Sequence, residues 1–213
     1  MSDIALKLRQ NSALAFAILL FCVVYFFYHM VHPKGFSTQV LVQNSNEVFT
    51  LAMIAMAQTV PVLLGGLDLS VGSVMTMVNC IASHVVNGSA AEMWLGILIC
   101  LLAGAGAGLV NGIIVVYGRI PPIIATLATG AVYIGIALLL RPTPGGKLDE
   151  DLNWAFTNSL GDFAETCGIF DEGKAAWFAP LAWIPVPVVL LLLVILVVWV
   201  PFRRALTGRT VYA

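Results

Sequence analysis

Six stretches of this chain, at about residues 12–31, 48–64, 69–86, 93–117, 120–140 and 181–200, contain no Asp, Glu, Lys or Arg. A bilayer core about 30 Å thick takes roughly 20 apolar residues of helix, so each stretch reads as a membrane span. The third is the weakest, being richer in Ser, Thr, Asn and Gly. Continuous apolar runs such as Leu190 to Val198 are unlike the alternating segments of a transmembrane β-barrel. Of the 213 residues 60% are hydrophobic and 10% charged, against roughly 25% charged in a soluble domain. A polar shell cannot be built from such a chain, which excludes a soluble enzyme, a nucleic-acid binder and a disordered protein. The expected fold is an all-α integral membrane protein, a polytopic bundle of about six transmembrane helices in one domain over 1–213.

The few charges predict an orientation. Lys7 and Arg9 precede the first span, Arg119 lies between the fourth and fifth, and Arg203, Arg204 and Arg209 follow the sixth. With a cytoplasmic N-terminus and alternating spans, all six fall on the cytoplasmic side, as the positive-inside rule asks. The long 141–180 loop then lies outside, with seven acidic residues against three basic ones. The first stretch is too long for the apolar core of a signal peptide and lacks a small-residue cleavage site. Tyr25 to Tyr28 and His29 read as an aromatic belt at a membrane face, as does His32 rather than a two-histidine metal site. Cys22, Cys80 and Cys100 are small apolar fillers within spans, Cys167 is alone in the loop, and no Cys/His metal spacing is present. No cofactor or metal site is expected on this chain.

Gly65-Gly66-Leu67-Asp68-Leu69-Ser70-Val71-Gly72 is the sharpest feature. Paired glycines break the second span and permit close backbone approach, and Pro61 weakens that span one turn earlier. The expectation is a broken-helix or re-entrant region near 61–72. Asp68 or Ser70 can cap the next helix. An ionisable group this close to apolar helices is a candidate functional residue, and broken helices often line solute paths. Capping a tight turn and lining a path are compatible roles for Asp68.

The third span carries Asp68, Gly72, Thr76, Asn79 and Ser83 on one helical face, opposite Val71, Val74, Val78 and Ile81. Such a stripe is expected to avoid lipid, either lining a wet path or hydrogen-bonding between helices. In the fourth span Gly104, Gly108 and Gly112 form small-xxx-small steps suited to close helix packing, with Asn111 beside them. No strand precedes this run, so it is not a nucleotide loop. The fifth span opens at Pro121-Pro122, where missing amides matter least. Thr126, Thr129, Gly130, Tyr133 and Ala137 share one face, as a packing seam or a path wall. Neutral hydroxyls and amides suit a polyhydroxylated solute better than an ion. Trp154, Phe156, Trp177, Phe178 and Trp183 in and after the 141–180 loop suit interfacial helices or an external partner.

These motifs resemble the ribose-type permease family of bacterial ABC importers, the membrane subunits of carbohydrate uptake systems. Gly65 to Gly72 is similar to that family's most specific motif. Asn111-Gly112 followed by Arg119-Ile-Pro-Pro-Ile-Ile-Ala-Thr-Leu-Ala-Thr129 resembles its second. Thr207-Gly208-Arg209-Thr-Val-Tyr-Ala213 looks like the opening of its cytoplasmic coupling segment, so that 201–213 would begin that segment. The stretch Arg141 to Lys147 is similar to a subgroup handling furanose or related hexose sugars.

The resemblance implies an inner-membrane sugar permease. The solute path would be lined by Gly65, Gly66, Asp68, Ser70, Gly72, Thr76, Asn79, Asn111, Thr126 and Thr129. The ATPase would couple through Arg203, Arg204, Gly208 and Arg209. Partners would be a second permease subunit (homodimer or heterodimer), cytoplasmic ABC ATPase subunits holding ATP and Mg, and a periplasmic sugar-binding protein. This chain has no Walker motif and is not expected to be an enzyme itself. Family members are longer, so 1–213 is expected to be the N-terminal part of a longer domain. The competing reading is a stand-alone channel or secondary transporter for a small polar solute. The coupling-type tail and the scarcity of intramembrane charge argue against it.

Overall fold

A computed structural model describes residues 12–35, 37–166, 182–205, 208 and 210–211. Its long helices are α1 (Ser12–Val31), α2 (Thr38–Leu63), α3 (Val71–Val85), α4 (Ala90–Gly118) and α5 (Pro122–Leu140). Two short helices follow, α6 (Glu150–Thr157) and α7 (Leu160–Thr166), and then α8 (Val186–Val194). A π-helical turn over Ile195–Trp199 leads from α8 into α9 (Val200–Arg204). Pro201 sits just past that turn. Its ring leaves no room for the carbonyl four residues back, and the wider turn relieves that clash.

Among the described residues, five helical segments are long and apolar enough to cross a membrane, namely Leu14–Val31, Gln39–Leu63, Ala90–Gly118, Pro122–Leu140 and Val186–Arg204. The third expected span differs. As α3 it has 15 residues, about 22 Å of helix, because the stretch before Val71 is unwound.

Two boundaries also move. The second span begins at Thr38, not near 48, with Ser37 accepting from Val40 N. Its first turns carry Gln39, Gln43, Asn44 and Glu47 yet bury Val40 and Val42. An apolarity count misses such an amphipathic start. The sixth begins at Val186 behind Pro185. The segment before it is held instead by backbone bonds, Leu160 N to Ile184 O at 2.9 Å and Gly161 N to Ala182 O at 2.7 Å.

The centre of the bundle is α3, packed against α5 and α4. Its apolar face sets Met77 against Ala107, Tyr133 and Ala137, flanked by Val74, Val78, Cys80 and Ile81. Thr126, Thr129, Gly130, Tyr133 and Ala137 are all buried, so within this chain the shared face of α5 is a packing seam. A Cβ on Gly130 would lie 3.2 Å from Ser73 Oγ and 3.6 Å from Ser70 Cα, so glycine there lets α5 approach α3. Gly96 does the same for α4, since a Cβ would collide with the Val85 carbonyl. His29 is 2% exposed. Its Nδ1 lies 3.1 Å from Gly35 O and its ring meets Tyr25 edge-on at 4.4 Å.

Candidate functional site

The break between α2 and α3 is built as its composition requires. Pro61 O accepts from Leu64 N at 3.1 Å and from Gly66 N at 2.9 Å, closing α2. Gly65 turns the chain with φ +76, a conformation that side chains with a Cβ disfavour. A Cβ on Gly66 would sit 3.0 Å from Pro122 Cγ, so this glycine lets the turn lie against the start of α5.

Asp68 then organises the entrance to α3. Its Oδ1 accepts from Ser70 N at 2.8 Å and from Ser70 Oγ at 2.6 Å. Ser70 makes no side-chain cap bond to α3, so of the two expected caps only the carboxylate serves the turn. Ser70 is 0% exposed, and its hydroxyl also accepts from Asn111 Nδ2 at 2.7 Å. The Tyr133 hydroxyl reaches Ala107 O at 2.9 Å and Asn111 Oδ1 at 3.2 Å. Leu69 N donates to Thr126 Oγ1 at 3.0 Å, and Thr126 Oγ1 donates to Pro122 O at 2.8 Å. With its amide turned to satisfy both groups, Gln58 donates to Asp68 O at 3.1 Å and accepts from Asp68 N at 3.2 Å. The unwound segment is thus pinned from α2, α4 and α5 together.

The expected site residues fall into two groups. Asp68, Ser70, Asn111 and Thr126 form this network, and Gly66 abuts it. Asp68, Asn111 and Gly66, with Pro61, Leu67 and Gly112, border a cavity of about 350 Å³. Gly72, Thr76 and Asn79 lie apart from it on an exposed face of α3. Thr76 Oγ1 returns to Gly72 O at 2.9 Å. Gly65 is exposed at the turn, and Thr129 is buried with its hydroxyl on Ala125 O at 3.1 Å. In its middle, at Gly72 and Thr76, the stripe read from the sequence is therefore turned away from α4 and α5, while the apolar face of α3 makes the core.

Of the glycine steps on α4, a Cβ on Gly104 would meet only Val78 Cγ2 at 3.8 Å. Around Gly108 and Gly112 no described residue lies within 4 Å of such a Cβ. Arg203 and Arg204 end α9, and Gly208 is buried where a Cβ would collide with Phe202 O. Lys7, Arg9, Arg209, Cys167, Trp177 and Phe178 lie outside the described residues. Gln58 and Tyr133 complete the network and were not among the expected site residues. The sequence signal for Tyr133 was its place on the Thr126–Thr129 face; for Gln58 it was a lone amide two turns before a glycine break.

A family model described as branched-chain amino acid transport system / permease component matches residues 40–213. The Autoinducer 2 import system permease protein LsrD of Escherichia coli (strain K12) is 28% identical over 207 residues, covering 97% of this chain and 58% of that protein. The protein of the same name from Shigella flexneri matches with the same identity and coverage. The chain thus spans 58% of the length of the curated relatives it matches. No solved structure matches it.

Proposed function

The chain belongs to the branched-chain amino acid transport system permease component family, and on that premise we propose that it is the membrane-spanning subunit of an ATP-driven importer for a monosaccharide. A permease of this kind is a transporter subunit and not itself an enzyme. ATP and Mg would be held by partner ATPases that engage Arg203, Arg204, Gly208 and Arg209. A second permease subunit would complete the path, and a periplasmic binding protein would deliver the sugar. The chain would sit in the bacterial inner membrane with its N-terminus in the cytoplasm.

The observation that carries this reading is the pinned break at Asp68 within a chain that matches the family along most of its length. The solute class rests on chemistry. Thr76, Asn79 and Ser83 on the outward-turned face of α3 offer hydroxyls and an amide without charge, which suits a polyol. A branched-chain amino acid would call for a carboxylate clamp and an apolar slot, which that stripe lacks. The neutral stripe also weighs against an ion-coupled transporter.

The test is a pull-down in mild detergent from the native membrane, joined to uptake of labelled D-ribose and labelled leucine. A co-purifying ATPase with ribose uptake is expected. Uptake of leucine alone overturns the solute class. Uptake in ATP-depleted vesicles overturns the ATP-driven reading.

A further inference from the structure

Beyond the break, the structure holds another cavity, a polar one of about 500 Å³, at the far end of α3. Asn79 and Ser83 reach it from the α3 stripe, Arg141 and Lys147 from the segment after α5, and Glu150 and Asn153 from α6. The wall is assembled from three elements tied together, since Asp149 N donates to Val86 O at 3.2 Å and Asp149 Oδ1 accepts from Asp151 N and Leu152 N at 3.0 and 3.2 Å. Gly146, at φ +113, leaves the space in which the Arg141 guanidinium lies, and a Cβ there would collide with it. The glycine therefore fixes where that fork is presented.

We infer that this cavity is a binding site for a small neutral polyol, with Arg141, Glu150 and Asn153 as its polar anchors. Its volume lies in the range of small-molecule sites. A cation is disfavoured by Arg141 and Lys147 together, and a compact dianion by Glu150. Vicinal hydroxyls both donate and accept, and so can satisfy a guanidinium, a carboxylate and amides at once. The site and the break stand at opposite ends of α3, joined by the Thr76–Asn79–Ser83 stripe. A solute held here is placed at the start of that stripe. This deepens the permease reading and rests on it.

Cys80 lines the same cavity and carries a free thiol, which supplies a native reporter. The full chain in nanodiscs, with Cys22, Cys100 and Cys167 changed to Ala, is labelled with a methanethiosulfonate reagent while D-ribose, leucine or inorganic phosphate is titrated. Saturable slowing of Cys80 labelling by D-ribose, several-fold at saturation, is expected. Arg141→Ala should abolish the protection while leaving the ribose-free labelling rate within about twofold, which shows that the cavity is still formed. Glu150→Gln should weaken the protection without changing that rate. Protection by phosphate alone overturns the neutral-polyol assignment, and protection by leucine alone overturns it equally. No protection at ribose concentrations that saturate uptake in sealed membrane vesicles overturns the site and leaves the permease reading standing. Protection without uptake or a co-purifying ATPase does the reverse.

Discussion

Asn111 Nδ2 donates to Ser70 Oγ at 2.7 Å, joining the middle of α4 to the residue just before α3 across 41 positions of sequence. Both groups are buried. The serine hydroxyl in turn donates to Asp68 Oδ1 at 2.6 Å, so one chain of bonds runs from amide to hydroxyl to carboxylate. Each member polarises the next. This places the only acidic residue of the break under the control of a helix that is distant in sequence.

The first consequence concerns stability. Asn111→Ala leaves Ser70 Oγ without its donor and takes one acceptor from Tyr133. Interhelical side-chain bonds in membrane proteins contribute about 0.6 kcal/mol on average and up to about 1.7. Because two bonds are lost, Asn111→Ala is expected to cost about 1–2 kcal/mol. Unfolding in a detergent titration, followed by tryptophan fluorescence, measures this. The double variant with Ser70→Ala should cost less than the sum of the singles, by roughly 0.5 kcal/mol or more. Strict additivity would show that the bond contributes nothing.

Asp68 separates acceptor from charge. Asp68→Asn keeps an oxygen for Ser70 N and Ser70 Oγ, whereas Asp68→Ala removes it. Leaving a buried donor unsatisfied costs about 1–3 kcal/mol. The alanine variant is therefore expected to lose yield and midpoint, and the asparagine variant to hold both. If Asp68 also acts on the solute path, uptake falls in the asparagine variant at unchanged yield. Normal uptake by Asp68→Asn would confine the residue to building the turn.

Several of these relationships were legible in the sequence and several were not, for identifiable reasons. Pro121-Pro122 marked the start of α5 because missing amides fit a first turn. Gly65-Gly66 marked the end of α2 because a turn with φ +76 favours glycine. The start of α2 was hidden because Gln39 to Glu47 lowers apolarity without breaking the helix. The direction of the α3 stripe was harder still. Periodicity shows that Thr76 and Asn79 share a face, but not which neighbour that face meets. Only the packing of Met77 on Tyr133 and Ala107 decides that the apolar side turns inward. Tyr133 and Gln58 escaped because their partners, Asn111 Oδ1 and the Asp68 backbone, become neighbours only on folding.

The glycines of α4 divide into two kinds that substitution distinguishes. A Cβ on Gly96 would sit 2.8 Å from Val85 C and 3.1 Å from Val86 Cα, so backbone must move to admit it. Gly96→Ala is expected to cost about 1–3 kcal/mol by overpacking. Gly108→Ala and Gly112→Ala meet nothing within 4 Å among the described residues. Each is expected to be neutral or to stabilise the helix by a few tenths up to about 1 kcal/mol. If those two variants keep their midpoint in detergent but lose co-purification of a second subunit, the glycine face is where another subunit packs. Loss of midpoint in the chain alone would show that the face already packs within it.

Gln58 provides the sharpest test of how the break is held. Its amide meets both the carbonyl and the N–H of Asp68, at 3.1 and 3.2 Å, as a paired strand would. No other side chain of that length both donates and accepts in this way while un-ionisable. Gln58→Ala should free the segment and cost about 1–3 kcal/mol, two neutral hydrogen bonds at roughly 0.5–1.5 each. Gln58→Glu retains the acceptor for Asp68 N but offers no donor to Asp68 O and sets a second carboxylate beside Asp68. It is expected to be at least as destabilising as alanine near neutral pH, and to recover as the pH falls and the new carboxyl protonates and regains a donor. Detergent unfolding midpoints for the two variants across an acid-to-neutral pH series give the answer. An alanine variant that is as stable as the parent would mean that the amide does not bridge the Asp68 backbone.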